Sequence, residues 1–223
     1  MGKDGLDNES EIVNHLNRKK FSEINNNLKR FLIFLNGNRE LNDYTSIHAR
    51  KLSRNVKTDI IISFNDNEYN ISVKKGTGNS VHQETINLFV DFINNNSRAH
   101  NLIDDFRNFI NSFNSNREYF KKYPDKKRRI QQFFDDNARP LLVRFLKTGK
   151  FPVGHADYLY HGTVENGKFE TMDNIIEAMI SRKYRGNATL HVGHLSFQKW
   201  NTNNIEKRGS IQLKASTITD FLR

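Results

Sequence analysis

The sequence predicts an α/β fold with a central mixed β-sheet flanked by helices and a β-rich region near its end. Three observations lead to this fold class. Apolar residues recur at helical spacing through the first 36 residues, two apolar strands meet at a polar turn between residues 57 and 76, and strand-like segments dominate after residue 150. The pattern alternates between helical and extended periods, as a mixed sheet covered by helices requires.

A length of 223 residues is enough for one sizeable core, so we expect a single domain, 1–223. Within it we expect a helix-rich part, 1–150, which contains the hairpin 57–75, and a β-rich part, 151–223. Seventeen phenylalanines supply apolar volume for such a core although the apolar share is only 36%. No internal repeat or proline-rich linker divides the chain.

Two helices are expected at the start. Asp7 or Asn8 is a suitable N-cap for the first, in which Ile12 and Leu16 share a face. The second ends before Gly37, and its apolar stripe consists of Ile24, Leu28, Phe31, Leu32 and Leu35.

The segment 57–76 predicts a β-hairpin, since two apolar strands of about six residues flank the turn Asn65-Asp66-Asn67-Glu68. Helices are expected next, at residues 81–93, 102–113 and, on both sides of Pro140, 126–146. The last third predicts a short helix at 172–180 and strands at 158–161, 188–192, 195–200 and 210–213.

The net charge is +10, from 35 basic and 25 acidic residues, which favours a polyanionic partner, with nucleic acid first. No single amphipathic helix collects the basic residues and no apolar run approaches the length of a membrane span, so we expect no membrane partner and a cytoplasmic protein. The chain lacks cysteine, which excludes disulfides, cysteine-based zinc sites and a thiol nucleophile.

The hairpin carries a pattern that is typical of metal-dependent phosphodiester hydrolysis. Asp59 opens its first strand, and Ser72, Val73 and Lys74 close the second, as an Asp…Ser-x-Lys variant of the Asp…(Asp/Glu)-x-Lys pattern. Antiparallel pairing brings Asp59 near Lys74. The Asp59 carboxylate and the Val73 carbonyl suit Mg²⁺, which takes oxygen ligands and few protein carboxylates. Lys74 suits orienting or deprotonating a metal-bound water and balancing charge on a phosphate.

Ser72 stands where a second carboxylate is usual, so a hydroxyl or a water must fill that place. An Asp entering a strand and a Lys leaving one also occur as solvated strand ends. A purely structural hairpin is therefore the alternative to catalysis.

Three blocks of the sequence carry a family resemblance: Lys3-Asp4-Gly5 with Asn8-Glu9 and Ile12, the hairpin from Lys57 to Lys74, and residues 188–199 with 208–214. With these blocks the chain resembles the MspI-like, HinP-type small type II restriction endonucleases of the PD-(D/E)XK nuclease superfamily. In that group the residue before x-Lys is likewise polar rather than acidic, which suits Ser72.

The resemblance implies a restriction-endonuclease-like fold and a Mg²⁺-dependent type II deoxyribonuclease that cuts duplex DNA at a short, palindromic site in restriction-modification defence. It makes Asp59, Ser72, Lys74 and Glu9 the catalytic residues, with metal held by Asp59, the Val73 carbonyl and, through water, Glu9. The alternative for Glu9 is a structural role, as a negative charge near the helix N-terminus that the helix dipole favours. A cognate DNA methyltransferase is the expected partner, and a monomer or a homodimer fits a palindrome.

The candidate DNA-binding residues lie after the hairpin, in the basic start of a helix, and on or beside the late strands. Glutamine, lysine and arginine can read base edges in the major groove, whereas the basic cluster suits phosphates. The candidates are Gln83, Lys126, Lys127, Arg128, Arg129, Gln198, Lys199, Arg208, Gln212 and Lys214.

Other functions remain open at this point. A non-catalytic DNA-binding module would use the same charge, and a structure-specific or repair nuclease would use the same hairpin. Tyr160-His161-Gly162-Thr163 is similar to the His-Gly-Thr strand of ADP-ribosyltransferases, although no acidic strand motif follows it. His191 and His194 lack carboxylate or cysteine partners nearby in sequence, so a strand edge or a DNA-facing position suits them better than a metal site.

Overall fold

The computed structural model describes residues 3–17, 19–52, 56–76, 80–96, 100–151, 153–184, 186–200 and 209–223. The chain divides into two compact units that alternate along the sequence. The first unit comprises residues 1–78, 147–175 and 219–223, and the second comprises 79–146 and 176–218. The expected single domain with parts 1–150 and 151–223 stays a prediction.

The helices and strands follow one another as the fold class predicts. Within the described ranges the α-helices are α1 (Lys3–Asn17), α2 (Asn26–Leu35), α3 (Ile86–Asn96), α4 (Ile103–Asn111), α5 (Asn116–Lys122), α6 (Pro124–Asp136), α7 (Ala138–Leu142) and α8 (Met172–Ser181). The strands there are β1 (His48–Lys51), β2 (Ile60–Phe64), β3 (Asn67–Lys74), β4 (Ser80–Thr85), β5 (Tyr158–Gly162), β6 (Gly167–Thr171), β7 (Leu190–Val192), β8 (Leu195–Lys199) and β9 (Ser210–Lys214).

The first unit is built on a mixed sheet in which the described strands follow the order β1-β2-β3-β5-β6. β3 and β5 run parallel, while the other neighbours are antiparallel. Alternation along β3 and β5 turns Val73 and Tyr160 into the core that α1 and α2 cover. Ser72, Lys74 and His161 therefore lie on the other face of this sheet.

The second unit contains an antiparallel sheet, in which the described strands follow the order β4-β9-β8-β7. Phenylalanine rings from four helical segments and from β8 pack behind it, with neighbouring ring centroids 4.7–6.3 Å apart. These rings are Phe89, Phe106, Phe133, Phe134, Phe145 and Phe197. The phenylalanine-rich composition thus forms a core here, as expected.

The β7 edge of this sheet is covered by a side chain of α6. The Gln131 amide donates to the carbonyl of His191 at 2.9 Å and accepts from its backbone N–H at 3.1 Å. The pair copies the two bonds that a neighbouring strand would make.

Sequence reasoning was wrong about residues 81–85, which form β4 and not the start of a helix. The inward residues of β4 are His82 and Glu84, which are polar and buried. Glu84 is paired with Arg144. Buried and more exposed residues therefore alternate along β4 as in any strand, but the buried residues are polar, so the sequence shows no alternating hydrophobicity. The structure also starts α1 at Lys3, and Asn8 is a buried residue inside this helix rather than its cap.

None of the helices in the described ranges is long and apolar enough to cross a membrane.

Candidate active site and polar sheet face

The backbone of Asp59 is fixed on both sides at the start of β2. Its N–H donates to the carbonyl of Ile71 on β3 at 2.9 Å, and its carbonyl accepts from Leu52 beyond β1 at 3.0 Å. Just before it, the N–H groups of Lys57 and Thr58 both donate to the carbonyl of Gly154. The carboxylate is thus held by the sheet, which is the rigid support that a catalytic group needs.

Three donors of β3 converge on one oxygen of the Asp59 carboxylate. Oδ2 accepts from the Val73 N–H at 2.7 Å, the Ser72 hydroxyl at 3.1 Å and the Lys74 ammonium at 3.1 Å. The Asp59 side chain is 9% exposed and that of Lys74 is 23% exposed, so the pair is largely shielded yet open on one side. The residues that the sequence pattern singled out therefore meet in space.

The donor set around Lys74 also fits a divalent cation. Lys74 Nζ lies 3.1 Å from Asp59 Oδ2 and 3.0 Å from the Val73 carbonyl oxygen, so these two oxygens face a common positive charge. One carboxylate and one carbonyl suit Mg²⁺, which keeps several of its waters. Among the described residues no group of three or more histidine, aspartate or glutamate side chains is arranged for a metal ion.

Glu9 is placed on α1 and pairs with a lysine of β1. The distance from Glu9 Oε2 to Lys51 Nζ is 2.9 Å, and the Glu9 side chain is only 5% exposed. Lys51 is the register partner of Ile60, the residue after Asp59. Glu9 therefore lies toward the same end of the first sheet as Asp59, while its metal-binding role stays a prediction.

Three glutamines stand side by side on the second sheet, and we call them the glutamine row: Gln83, Gln212 and Gln198. Gln212 on β9 is the register partner of Gln83 on β4 and of Gln198 on β8. Gln198 donates to Gln212 at 3.1 Å, and all three are half-buried. Lys214 lies two residues along β9 on the same face. These four candidates are brought together as one polar surface.

Lys199 points to the opposite face of β8. Its side chain is buried, and its ammonium donates to the carbonyl and hydroxyl of Ser112 and to the carbonyl of Asn114. Burial lowers the pKa of Lys199, and Glu118 acts in the opposite direction. The lysine has three donors, and all three are used inside the unit. The structure thus separates Lys199 from the face that carries the glutamine row.

The basic cluster on α6 is partly neutralised by nearby carboxylates. Lys126 and Arg129 both pair with Asp105, and Arg128 pairs with Asp125. Lys127 is exposed. The expected phosphate contacts of these four residues stay a prediction, and Arg208 lies outside the described residues.

His191 and His194 surround one aromatic ring. His191 stacks on Tyr184 with 4.0 Å between ring centroids, and His194 meets the same ring edge-on. Burial lowers the pKa of His191, which favours its neutral form. His191 belongs to the edge strand β7, in agreement with the strand-edge interpretation.

Two residues beside Lys74 were missed by sequence reasoning. His161 on β5 is the register partner of Lys74, and Lys168 on β6 is the register partner of His161. The strand 158–161 was expected, but no sequence signal shows that it pairs in parallel with β3. The His-Gly-Thr segment thus forms the end of a strand next to the Asp59 carboxylate site.

No protein-family description and no curated protein sequence matches this chain. Among solved structures, the chain is similar to the restriction endonuclease MspI in complex with its cognate DNA, with a TM-score of 0.60 and 15% identity. The match covers 92% of this chain and 87% of that chain. This likeness confirms the expected fold class, a mixed α/β architecture. The chain therefore has a restriction-endonuclease-like fold.

Proposed function

We propose that this protein is a type II site-specific deoxyribonuclease, which hydrolyses phosphodiester bonds of duplex DNA with Mg²⁺. The observation that carries the proposal is the convergence of Ser72, Val73 and Lys74 on one oxygen of Asp59. The restriction-endonuclease-like fold and the net charge of +10 support DNA as the substrate.

Asp59 and the Val73 carbonyl would hold the Mg²⁺ ion, with Glu9 acting through water. When bound, the ion supplies charge stabilisation at the phosphate and a more acidic water. The Lys74 ammonium stabilises negative charge that develops on the phosphate oxygens, since it is shielded from bulk water and fixed beside the site. Ser72 and the Val73 N–H keep the Asp59 carboxylate in one orientation.

Sequence reading is assigned to the glutamine row with Lys214. A glutamine amide can bond two groups of an adenine edge in the major groove, and a lysine can bond guanine O6 and N7. The four side chains stand on neighbouring strands of one sheet, so their spacing is rigid. A row of this kind can touch several base pairs at once.

The test is incubation of the purified protein with unmethylated, phage-sized duplex DNA, in Mg²⁺ and in EDTA, followed by a gel. We expect discrete bands in Mg²⁺ and none in EDTA. Asp59→Ala and Lys74→Ala should abolish cleavage and keep most DNA binding. The matched control is Glu68→Gln, an exposed residue at the far end of the same hairpin, which should cleave like the wild type.

Cleavage that survives Asp59→Ala would overturn the proposal. Duplex DNA that is retarded but intact, with and without Mg²⁺, would assign the protein to non-catalytic DNA-binding modules. Cleavage restricted to junctions or flaps would assign it to structure-specific nucleases. Protection of the DNA by the methyltransferase expected in the same system would support the restriction-modification setting.

A further inference from the structure

Three basic side chains cross three neighbouring strands at one end of the first sheet, and we call them the basic row: Lys74, His161 and Lys168. The register places Lys74 opposite His161 and His161 opposite Lys168. Register partners in adjacent strands project from the same face. The row starts at the Asp59 site and leads away from it across β5 and β6.

The row lies on the face opposite α1 and α2. Tyr160 and Phe169, the residues next to His161 and Lys168, belong to the core that those helices cover. Lys168 is exposed and His161 is half-buried, so both are accessible. The row also stands at the carboxyl ends of β3 and β5, which run parallel. Ligands of open α/β sheets bind at such ends.

Two carboxylates of the hairpin formed by β5 and β6 are bonded to groups outside the basic row. Glu170, two residues from Lys168 on β6, accepts two hydrogen bonds from Arg223, at 2.8 and 3.0 Å. Glu165 in the turn between β5 and β6 accepts from Asn25, at the start of α2. Within the described residues no carboxylate pairs with Lys168, so its charge is left for an external anion, whereas Lys74 is already paired with Asp59.

The orientation of His161 is set by the strand that carries Lys74. Its Nε2 lies 3.1 Å from the carbonyl oxygen of Gly76, two residues after Lys74. A carbonyl oxygen only accepts, so Nε2 carries the hydrogen. Nδ1 can donate to a phosphate oxygen when the ring is protonated on both nitrogens, since a neutral ring with its hydrogen on Nε2 offers only a lone pair there. His161 thus ties β5 to the end of β3 and still offers one ring nitrogen.

We propose that the basic row is a track for the DNA backbone, in which His161 and Lys168 hold the phosphates that flank the cleaved bond. This inference rests on the proposed function and names further DNA-positioning residues. Neighbouring strands are about 4.8 Å apart, so the row spans roughly 10 Å. Phosphates of one strand advance about 3.4 Å along the helix axis, so a row of this length along the axis matches about three phosphate steps.

The first experiment measures the dissociation constant for duplex DNA in EDTA at several salt concentrations. Lys168→Gln is expected to weaken binding about fivefold to tenfold at low salt and to reduce the salt slope by about one. The matched control is Arg30→Gln, which removes one exposed charge from α2 on the other face and should leave both values unchanged.

The second experiment uses duplexes in which one phosphate next to the mapped cleavage position is an uncharged methylphosphonate. Replacing the phosphate that Lys168 holds should weaken wild-type binding but add nothing to the loss in Lys168→Gln, because both changes remove the same contact. Replacing the phosphate that His161 holds should behave in the same way with His161→Ala. If His161 only supported the end of β3, methylphosphonate would weaken His161→Ala as much as the wild type. That result would remove His161 from the track.

The two proposals fail in different ways. A wild-type protein that binds DNA without cutting it would overturn the nuclease assignment. The salt slopes of Lys168→Gln and Arg30→Gln would in that case still show whether the basic row binds the DNA backbone. Equal slopes in these two variants would overturn the row even in an active nuclease. A wild-type protein that does not bind duplex DNA would overturn both.

Discussion

Ser72 stands where a second carboxylate is usual, and its hydroxyl donates to Asp59 instead of adding negative charge. Asp59 is thus the single carboxylate of the Asp…Ser-x-Lys pattern, and the donors of Ser72, Val73 and Lys74 all bond to it. A charge-assisted hydrogen bond of this kind contributes about 1.5–3 kcal/mol. Its loss should be visible in the cleavage rate, because the Asp59 carboxylate would be held only by the Val73 N–H and the Lys74 ammonium.

Ser72→Ala should therefore lower the single-turnover cleavage rate at saturating Mg²⁺ about tenfold or more, with little effect on DNA affinity. The control is Ser63→Ala on β2 of the same hairpin, which should cleave normally. An unchanged rate for Ser72→Ala would mean that Val73 and Lys74 suffice to hold the carboxylate.

At the level of elements, β8 shows how one strand separates two roles. Lys199 faces inward and bonds the end of α4 and the loop after it, whereas its neighbour Gln198 faces the glutamine row. The sequence analysis grouped both as candidates for reading DNA because the sequence does not show how β8 pairs with its neighbours or which face each residue takes. Alternation alone distinguishes them once the strand is placed.

Lys199→Met should lower the free energy of unfolding by about 1–3 kcal/mol, because the carbonyls of Ser112 and Asn114 lose a buried donor. Gln198→Ala should leave stability within about 0.5 kcal/mol and weaken binding to the cleaved sequence more than binding to unrelated duplexes. Urea unfolding and competition binding measure these effects. The reverse pattern would place Lys199, and not Gln198, at the DNA.

The hairpin and most late strands could be predicted from sequence because apolar residues alternate or run together between clear turns. β4 could not, since its inward residues His82 and Glu84 are polar and gain their partners only from the fold. Asp59 and Lys74 were found because a hairpin makes them neighbours locally. His161 was missed because it lies 87 residues along the chain from its register partner Lys74, with much of the second unit between them in sequence.

At the scale of the molecule, the free energy of unfolding should depend on pH through Glu84 in the second unit. Burial alone would raise the pKa of Glu84, but hydrogen bonds and charges from His82 and Arg144 outweigh it and lower the pKa below its usual value of 4.5. Because the pKa is lower in the folded state, the ionised carboxylate stabilises the fold at pH values above its ordinary, unfolded-state pKa. This contribution is lost as the pH falls through the folded value.

Glu84→Gln should reduce the free energy of unfolding at pH 7 by about 3–5 kcal/mol, because Arg144 then keeps a buried charge without its counter-ion. The difference from the wild type should shrink below pH 4.5, as the wild-type carboxyl also takes up a proton. Urea unfolding across this range measures it. A difference that stays constant with pH would mean that Glu84 acts through packing and not through its charge.

The amide of Gln131 on the edge strand β7 has a consequence for how the protein behaves at high concentration. An open strand edge offers unpaired N–H and C=O groups to any extended chain that meets it, which is a common start of aggregation. At His191 both groups are already bonded by one side chain. Strand addition from another chain is therefore blocked at this position of the β7 edge.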